Sequence, residues 1–175
     1  MRALRAPARC FEGVAVGGLL KGVSKIPWGE MRDAQQDPAG GIPPLLSRIA
    51  YGDEQAARLA VDALGDVVCA MGFVVGQATS PTVPFILELA GAPHTPCKSE
   101  LLDLLKSICR TEQWHSAAAA AIYQEQCGWE AAARAAVLLG RSVVEGLASS
   151  LRPEEAAPAR ELLWVIDALS PFPQL

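Results

Sequence analysis

The residues best suited to do chemistry in this sequence are charged side chains that recur at helical spacing on two predicted helices. Arg58, Asp62 and Asp66 stand four residues apart, so on a helix they would share one face. With their counterparts on the next helix and a nearby tryptophan, they make up the candidate partner-binding residues: Arg58, Asp62, Asp66, Asp103, Lys106, Arg110 and Trp114. Such a mixed-charge face favours binding of another protein, unless Asp62 and Asp103 instead bond neighbouring helices to each other.

Patterns for metal binding and catalysis are weak in comparison. His94 and Cys97 form one His-x-x-Cys pair in a Pro-rich loop, whereas zinc sites normally use two closely spaced ligand pairs. The sequence contains no G-x-S-x-G nucleophile elbow, and its glycines from 13 to 18 do not follow the phosphate-loop pattern. The adjacent carboxylates Glu154 and Glu155 suit the positive end of a helix dipole. We therefore expect no metal, no cofactor and no catalytic residues.

The helices that carry the charged residues belong to an internal repeat. The stretch 42–46 (I-P-P-L-L) aligns with 83–87 (V-P-F-I-L) at a separation of 41 residues, and Asp62 aligns with Asp103 at the same separation. A proline and an aspartate that keep one offset across a loop are harder to obtain by chance than apolar matches. A period of about 40–47 residues that contains two helices is typical of HEAT and armadillo repeats.

The same residues resemble a protein family. I-P-x-L-L from position 42 and A-T-S-P-T-V-P-F-I-L-E-L-A from position 78 resemble the small bacterial HEAT-like repeat proteins, over roughly residues 26–110. Such families often carry a His-Gln-Gly type sequence just upstream of the second segment. This chain has Ala70-Met71-Gly72 there, so a role tied to that histidine is not carried over. The resemblance implies an α-solenoid whose relatives mostly bind other macromolecules.

The predicted fold is therefore all-α. We expect an α-α superhelix of about three HEAT-like hairpins plus terminal helices, in a domain of residues 26–175 that follows a basic N-terminal arm of residues 1–25. Prolines near the predicted helix starts cost little stability, because the first turn lacks intrahelical N–H partners. Ser80 is predicted to be the N-cap of the helix that begins at Pro81. Gly128 is expected to separate two helices. The predicted helices cover residues 28–36, 43–51, 54–71, 81–90, 97–111, 113–126, 129–151 and 153–169.

Composition and charge narrow the class of partner. The net charge is −4 and the isoelectric point is about 5.2, so the chain offers no large basic field for nucleic acid or anionic lipid. No apolar run approaches the ~20 residues of a membrane helix. The five cysteines are odd in number and widely spaced, which favours a reduced, cytoplasmic protein over a disulfide framework.

These observations predict a non-enzymatic protein-binding module that uses the concave face of a short HEAT-like solenoid. It would act as an adaptor or as an inhibitor- or immunity-like protein, with a protein partner, no nucleic acid and no membrane. Two alternatives stay open. One is a HEAT-like enzyme that acts on DNA bases, which would need a positively charged concavity. The other is a structural subunit of a larger complex, and a homo-oligomer is possible.

Overall fold

A computed structural model describes the backbone at residues 18–111 and 120–169, and the side chains at 18–111 and 124–169. Within those ranges the chain forms seven α-helices and no strand beyond two isolated bridges. The helices are α1 Ile42–Tyr51, α2 Glu54–Val68, α3 Thr79–Gly91, α4 Lys98–Cys109, α5 Ala120–Leu139, α6 Arg141–Ala148 and α7 Pro153–Leu169. The predicted all-α class is confirmed for this part of the chain. None of these helices is long and apolar enough to cross a bilayer.

Local sequence explains where the first two helices begin. Pro43 and Pro44 occupy the first turn of α1, where a missing N–H costs no intrahelical hydrogen bond. The side chain of Asp53 caps α2, because its Oδ1 accepts a hydrogen bond from the backbone N–H of Ala56 at 2.8 Å. Gly52 ends α1 and leaves only a short turn before that cap. The two helices therefore form a tight antiparallel hairpin, and they pack directly on each other.

Helix α3 lies at the centre of the molecule. It contacts α1, α4, α5 and α6, and eight of its residues are buried: Thr79, Thr82, Val83, Phe85, Ile86, Leu87, Leu89 and Ala90. Only Pro84 and Gly91 of this helix are exposed. An apolar surface that runs around a whole helix can be covered only by neighbours on several sides, so α3 organises the core of the described residues, which runs from Leu20 to Ile166.

The start of α3 differs from the prediction. The helix begins at Thr79, and the prediction of Ser80 as its N-cap is wrong. Thr79 Oγ1 accepts from the N–H of Gly76 at 3.0 Å and donates to the Val68 carbonyl at 2.7 Å, which fixes the helix start against the end of α2. The Ser80 hydroxyl instead donates to the Ala132 carbonyl of α5 at 3.3 Å.

The helices pack in the order that side-by-side hairpins require. The hairpin of α1 and α2 lies beside the hairpin of α3 and α4, with α1 against α3 and α2 against α4. On the other side, α5 and α6 pack on α3, while α7 packs on α4 and on α6. The superhelical HEAT-like arrangement of these pairs stays a prediction.

The third pair has different boundaries from those predicted. Helix α5 continues through Gly128, where we expected a break, and the chain instead turns at Gly140. A Cβ at Gly140 would overlap the side chain of Leu87, so this glycine allows α3 to approach closely, whereas a Cβ at Gly128 would meet no atom within 4 Å. A glycine inside an exposed helix costs only about 1 kcal/mol, which packing of the rest of α5 outweighs.

The segment before α1 is not the helix predicted for residues 28–36. A short 3-10 turn at Trp28–Glu30 is followed by a loop closed by a bridge between Arg32 and Pro38. Trp28 is buried against Phe85, with ring centroids 6.4 Å apart, and its indole N–H donates to the Val23 carbonyl at 2.7 Å. Of the predicted basic arm, residues 18–25 are described and pack against the helices through Leu20, and the remainder of that arm lies outside the described residues.

Substitutions at Gly140 and Gly128 test whether only Gly140 lies in a tight contact with another helix. Gly140→Ala is expected to lower the free energy of unfolding by about 1–3 kcal/mol, because the new methyl group displaces a buried leucine. Gly128→Ala is expected to raise it by about 0.5–1 kcal/mol, because alanine has the better helix propensity at an open position. Urea denaturation of the two variants measures both values, and a stabilised Gly140→Ala would contradict the close approach of α3.

Candidate functional site

An open groove of about 450 Å³ runs between the C-terminal half of α2 and the middle of α4. Val61 and Leu104 contribute apolar surface to it, and Met71 lies at its rim just after α2. Carboxylate side chains dominate the polar lining, and we call this feature the acidic groove after its four acids: Asp62, Asp66, Glu100 and Asp103. Three of these four acids are candidate residues from the sequence, so the structure brings the predicted faces of α2 and α4 together.

Arg58, one of two basic residues beside the groove, forms ion pairs within α2 and across to α4. Arg58 binds Glu54 of its own helix at 3.1 Å and Glu100 of α4 at 3.4 Å, measured between side-chain N and O atoms. Because Arg58 and Glu54 are mostly solvent-exposed and Glu100 is partly exposed, these pairs contribute little to stability. Their main effect is to fix the position of the Glu100 carboxylate at one end of the groove.

Lys106 links α4 to α7. Its ammonium lies 2.7 Å from Asp103 Oδ1 and 2.8 Å from Glu161 Oε2. Hydrogen bonds to Asp103 and Glu161 raise the pKa of Lys106, and the hydrogen bond from Lys106 lowers the pKa of Glu161. Lys106 and Glu161 therefore both stay charged through the neutral range. Asp103 binds a residue of its own helix, and the ion pairs between helices in this region join Arg58 to Glu100 and Lys106 to Glu161. The aspartates therefore do not form the inter-helix ladder that was the alternative for them.

Asp62 and Asp66 have a different environment. Both are exposed, and within the described residues neither carboxylate has a cationic partner or a hydrogen-bond donor. They are one turn apart on α2, and Asp66 lies in the last turn, which contains no basic residue. Like charges at this spacing repel each other, and a carboxylate near the negative end of the helix dipole is unfavourable. Neither charge therefore makes a contact that supports the fold, and their mutual repulsion is expected to cost a small amount of stability.

Met71 adds an apolar contact point to the groove rim. The residue is 78% exposed, so it contributes little to the core. Its backbone has φ of 53°, in the left-handed region where a residue with a Cβ costs about 1–2 kcal/mol. Glycine would fit this turn better, as it does at the next position, Gly72.

The last two candidates lie elsewhere. Arg110 is exposed just after the end of α4 and lines a separate open cavity of about 520 Å³, together with Trp164 of α7. It therefore does not join the acidic groove. Trp114, the aromatic candidate, lies outside the described residues. Arg58 and Lys106 flank the groove, so Asp62, Asp66 and Asp103 are the candidates that line it.

Sequence reasoning missed Glu100, Glu161 and Met71. Glu100 and Glu161 become important through contacts with Arg58 and Lys106 from other helices, which no local spacing reveals. An available signal was the repeated E-L-L that begins at both glutamates. For Met71, the adjacent Gly72 indicated a turn but not its left-handed backbone.

Within the described residues, the cysteines and the His94 loop form no cluster that could hold a metal ion. Burial raises the pKa of Cys69 and of Cys109 to about 11, so both remain neutral thiols at physiological pH. Burial also raises the pKa of Cys97. No group of three or more potential ligands that could hold a metal ion occurs among the described histidine, cysteine, aspartate and glutamate residues.

Comparisons with protein-family models, with curated proteins and with solved structures found no match to this chain. The resemblance to HEAT-like repeat proteins therefore remains a prediction from the sequence. What can be proposed about function rests on the geometry of the acidic groove and on the chemistry of its side chains.

The cost of the unpaired carboxylates can be measured directly. Asp66→Asn is expected to raise the free energy of unfolding by about 0.3–1 kcal/mol at low salt, because it removes repulsion by Asp62 and by the helix dipole. The gain should shrink as salt screens the charges. Asp37→Asn is a matched control, because its side chain is exposed outside the groove, and it should change stability little. A destabilised Asp66→Asn would mean that this carboxylate makes a contact that supports the fold.

Proposed function

We propose that this chain is a non-enzymatic protein-binding module that receives a positively charged segment of a partner protein in the acidic groove. The observation that carries the proposal is the unpaired state of Asp62 and Asp66. Clustered charges that weaken a fold are expected where function requires them, because stability and function are often in conflict at binding sites. An adaptor or an inhibitor-like protein fits this description.

Lysine or arginine side chains of a partner would relieve the repulsion within the groove. Each carboxylate that gains a cationic partner changes from a destabilising charge into half of an ion pair. Charge complementarity of this kind raises the association rate and selects among partners. Leu104 in the groove and Met71 at its rim supply apolar surface for the uncharged part of the same segment.

The acidic groove favours a protein partner over nucleic acid. A DNA-base-acting enzyme must attract a phosphate backbone, and Asp62, Asp66, Glu100 and Asp103 would repel it. A structural role in a larger complex is the second candidate. It is favoured by three large side chains that are more than half exposed on the later part of the chain: Leu139, Leu151 and Trp164.

The proposed location is the cytoplasm. Cys69, Cys97 and Cys109 are free thiols, and a reducing compartment preserves thiols in that state. The proposed bacterial origin rests on the sequence resemblance alone.

Affinity capture with matched variants tests the groove. The tagged chain, used as bait in an extract of its native host, is compared with Asp62→Asn/Asp66→Asn and with the control Glu30→Gln/Glu125→Gln. Both double variants remove two exposed acids, but only the first changes the groove. Mass spectrometry should find proteins held by the wild type and the control and reduced about tenfold or more with the groove variant. Equal recovery with all three baits would contradict the proposal.

Met71→Gly separates binding from folding. The substitution removes the exposed side chain and suits the left-handed backbone, so the free energy of unfolding should stay constant or rise by up to about 1 kcal/mol. Capture of the same partner should weaken. Leu139→Ala, which removes another exposed apolar side chain far along the chain, should leave capture unchanged. If Leu139→Ala reduces capture and Met71→Gly does not, the interface lies outside the groove.

A further inference from the structure

A separate cavity of about 590 Å³ opens where α4 and α7 both begin, beside α6. We call it the Lys98 cavity. Its volume falls in the range of small-molecule sites, which combine apolar walls with a few polar groups. The polar lining comes from Lys98, Ser142, Ser150, Arg152 and Glu155. This cavity shares no lining residue with the acidic groove.

A covered ion pair forms the polar end of the cavity. Lys98 Nζ lies 3.2 Å from Glu155 Oε1, and both residues are less than a tenth exposed. Glu155 also accepts hydrogen bonds from Ser150 Oγ at 3.0 Å and from Arg152 Nη1 at 3.2 Å. Burial alone would raise the pKa of Glu155, but the hydrogen bonds from Ser150 and Lys98 outweigh burial and lower it. Glu155 is therefore charged and well supplied with donors.

Lys98 retains donor capacity in this arrangement. An ammonium group carries three N–H donors, and Glu155 accepts from one of them. Arg152 adds a second positive charge whose side chain is 64% exposed. The lining thus holds two cations against one carboxylate, in a chain whose net charge is −4. The N-termini of α4 and α7, which both begin at this cavity, add further positive potential.

The other wall of the cavity is apolar and open. Pro93, Val143 and Leu147 supply its apolar surface. A Cβ at Gly146 would meet no atom within 4 Å, so this part of α6 leaves room beside the two apolar side chains of the same helix. The cavity therefore has a cationic end next to a space that suits an uncharged group.

We infer that the Lys98 cavity binds a small organic anion, a carboxylate or phosphate group carried on a short apolar body. The anionic group accepts hydrogen bonds from Lys98 and Arg152, and the apolar body lies against Val143 and Leu147. Glu155 keeps Lys98 in place and prevents the cavity from holding a large excess of positive charge. This site adds a small-molecule ligand to a chain whose proposed partner is a protein.

Amide NMR of the full chain tests the inference with defined probes. Hexanoate supplies the anion and the apolar body, hexylammonium supplies the same body with the opposite charge, and inorganic phosphate supplies the anion alone. At constant ionic strength, hexanoate should cause saturable shifts at the amides of Gly91, Ser142, Gly146 and Ser150. The other two probes should bind at least about tenfold more weakly.

Two variants locate the binding. Lys98→Met/Glu155→Gln removes both charges together, so no buried charge is left unpaired. Gly146→Leu fills the apolar space and improves helix propensity, so it should remain folded. Each should weaken hexanoate binding about tenfold or more. The inference is overturned if hexanoate gives no saturable shift, if either comparator probe binds as tightly, or if either variant keeps full hexanoate binding.

Discussion

The structure depends on the need to cover α3 on nearly all sides. Its buried residues, from Thr79 to Ala90, cannot all face one neighbour, because they are distributed around the helix. Four helices, α1, α4, α5 and α6, supply the cover. A single hairpin of α3 and α4 would leave most of this surface in water, at a cost of about 25 cal/mol for each Å² of apolar area. The hairpins therefore stack, and the positions of the other helices follow.

The two sites are consequences of that stacking. Once α1 and α3 are side by side, α2 and α4 must also lie side by side, and the gap between them becomes the acidic groove. Likewise, α7 packs on α4 so that both helices begin near the same point, which brings Lys98 to Glu155. The core contributes the stability that allows the groove to keep two unpaired carboxylates. Both carboxylates are thus exposed to solvent on α2, at the groove.

Much of the architecture could be predicted from the sequence. Local periodicity predicts the helical class and the approximate bounds of α1 and α7. The repeat predicts that Asp62 and Asp103 occupy equivalent positions on neighbouring helices, and both line the acidic groove. The break predicted at Gly128 was wrong, because a local propensity of about 1 kcal/mol is smaller than the packing of α5. Gly140 marks the real break for a non-local reason, its contact with Leu87. The roles of Glu100 and Lys98 could not be predicted from the sequence, because each side chain forms an ion pair with a residue of another helix.

Native-state hydrogen exchange tests the central role of α3 most directly. If this helix is the shared core, its amides can exchange only when the whole molecule unfolds. Amides of α3 are expected to exchange most slowly in the chain, with opening free energies equal to that of global unfolding. The contrary result would be faster exchange in α3 than in α1 or α7, which would mean that the hairpins open independently and that α3 does not join them.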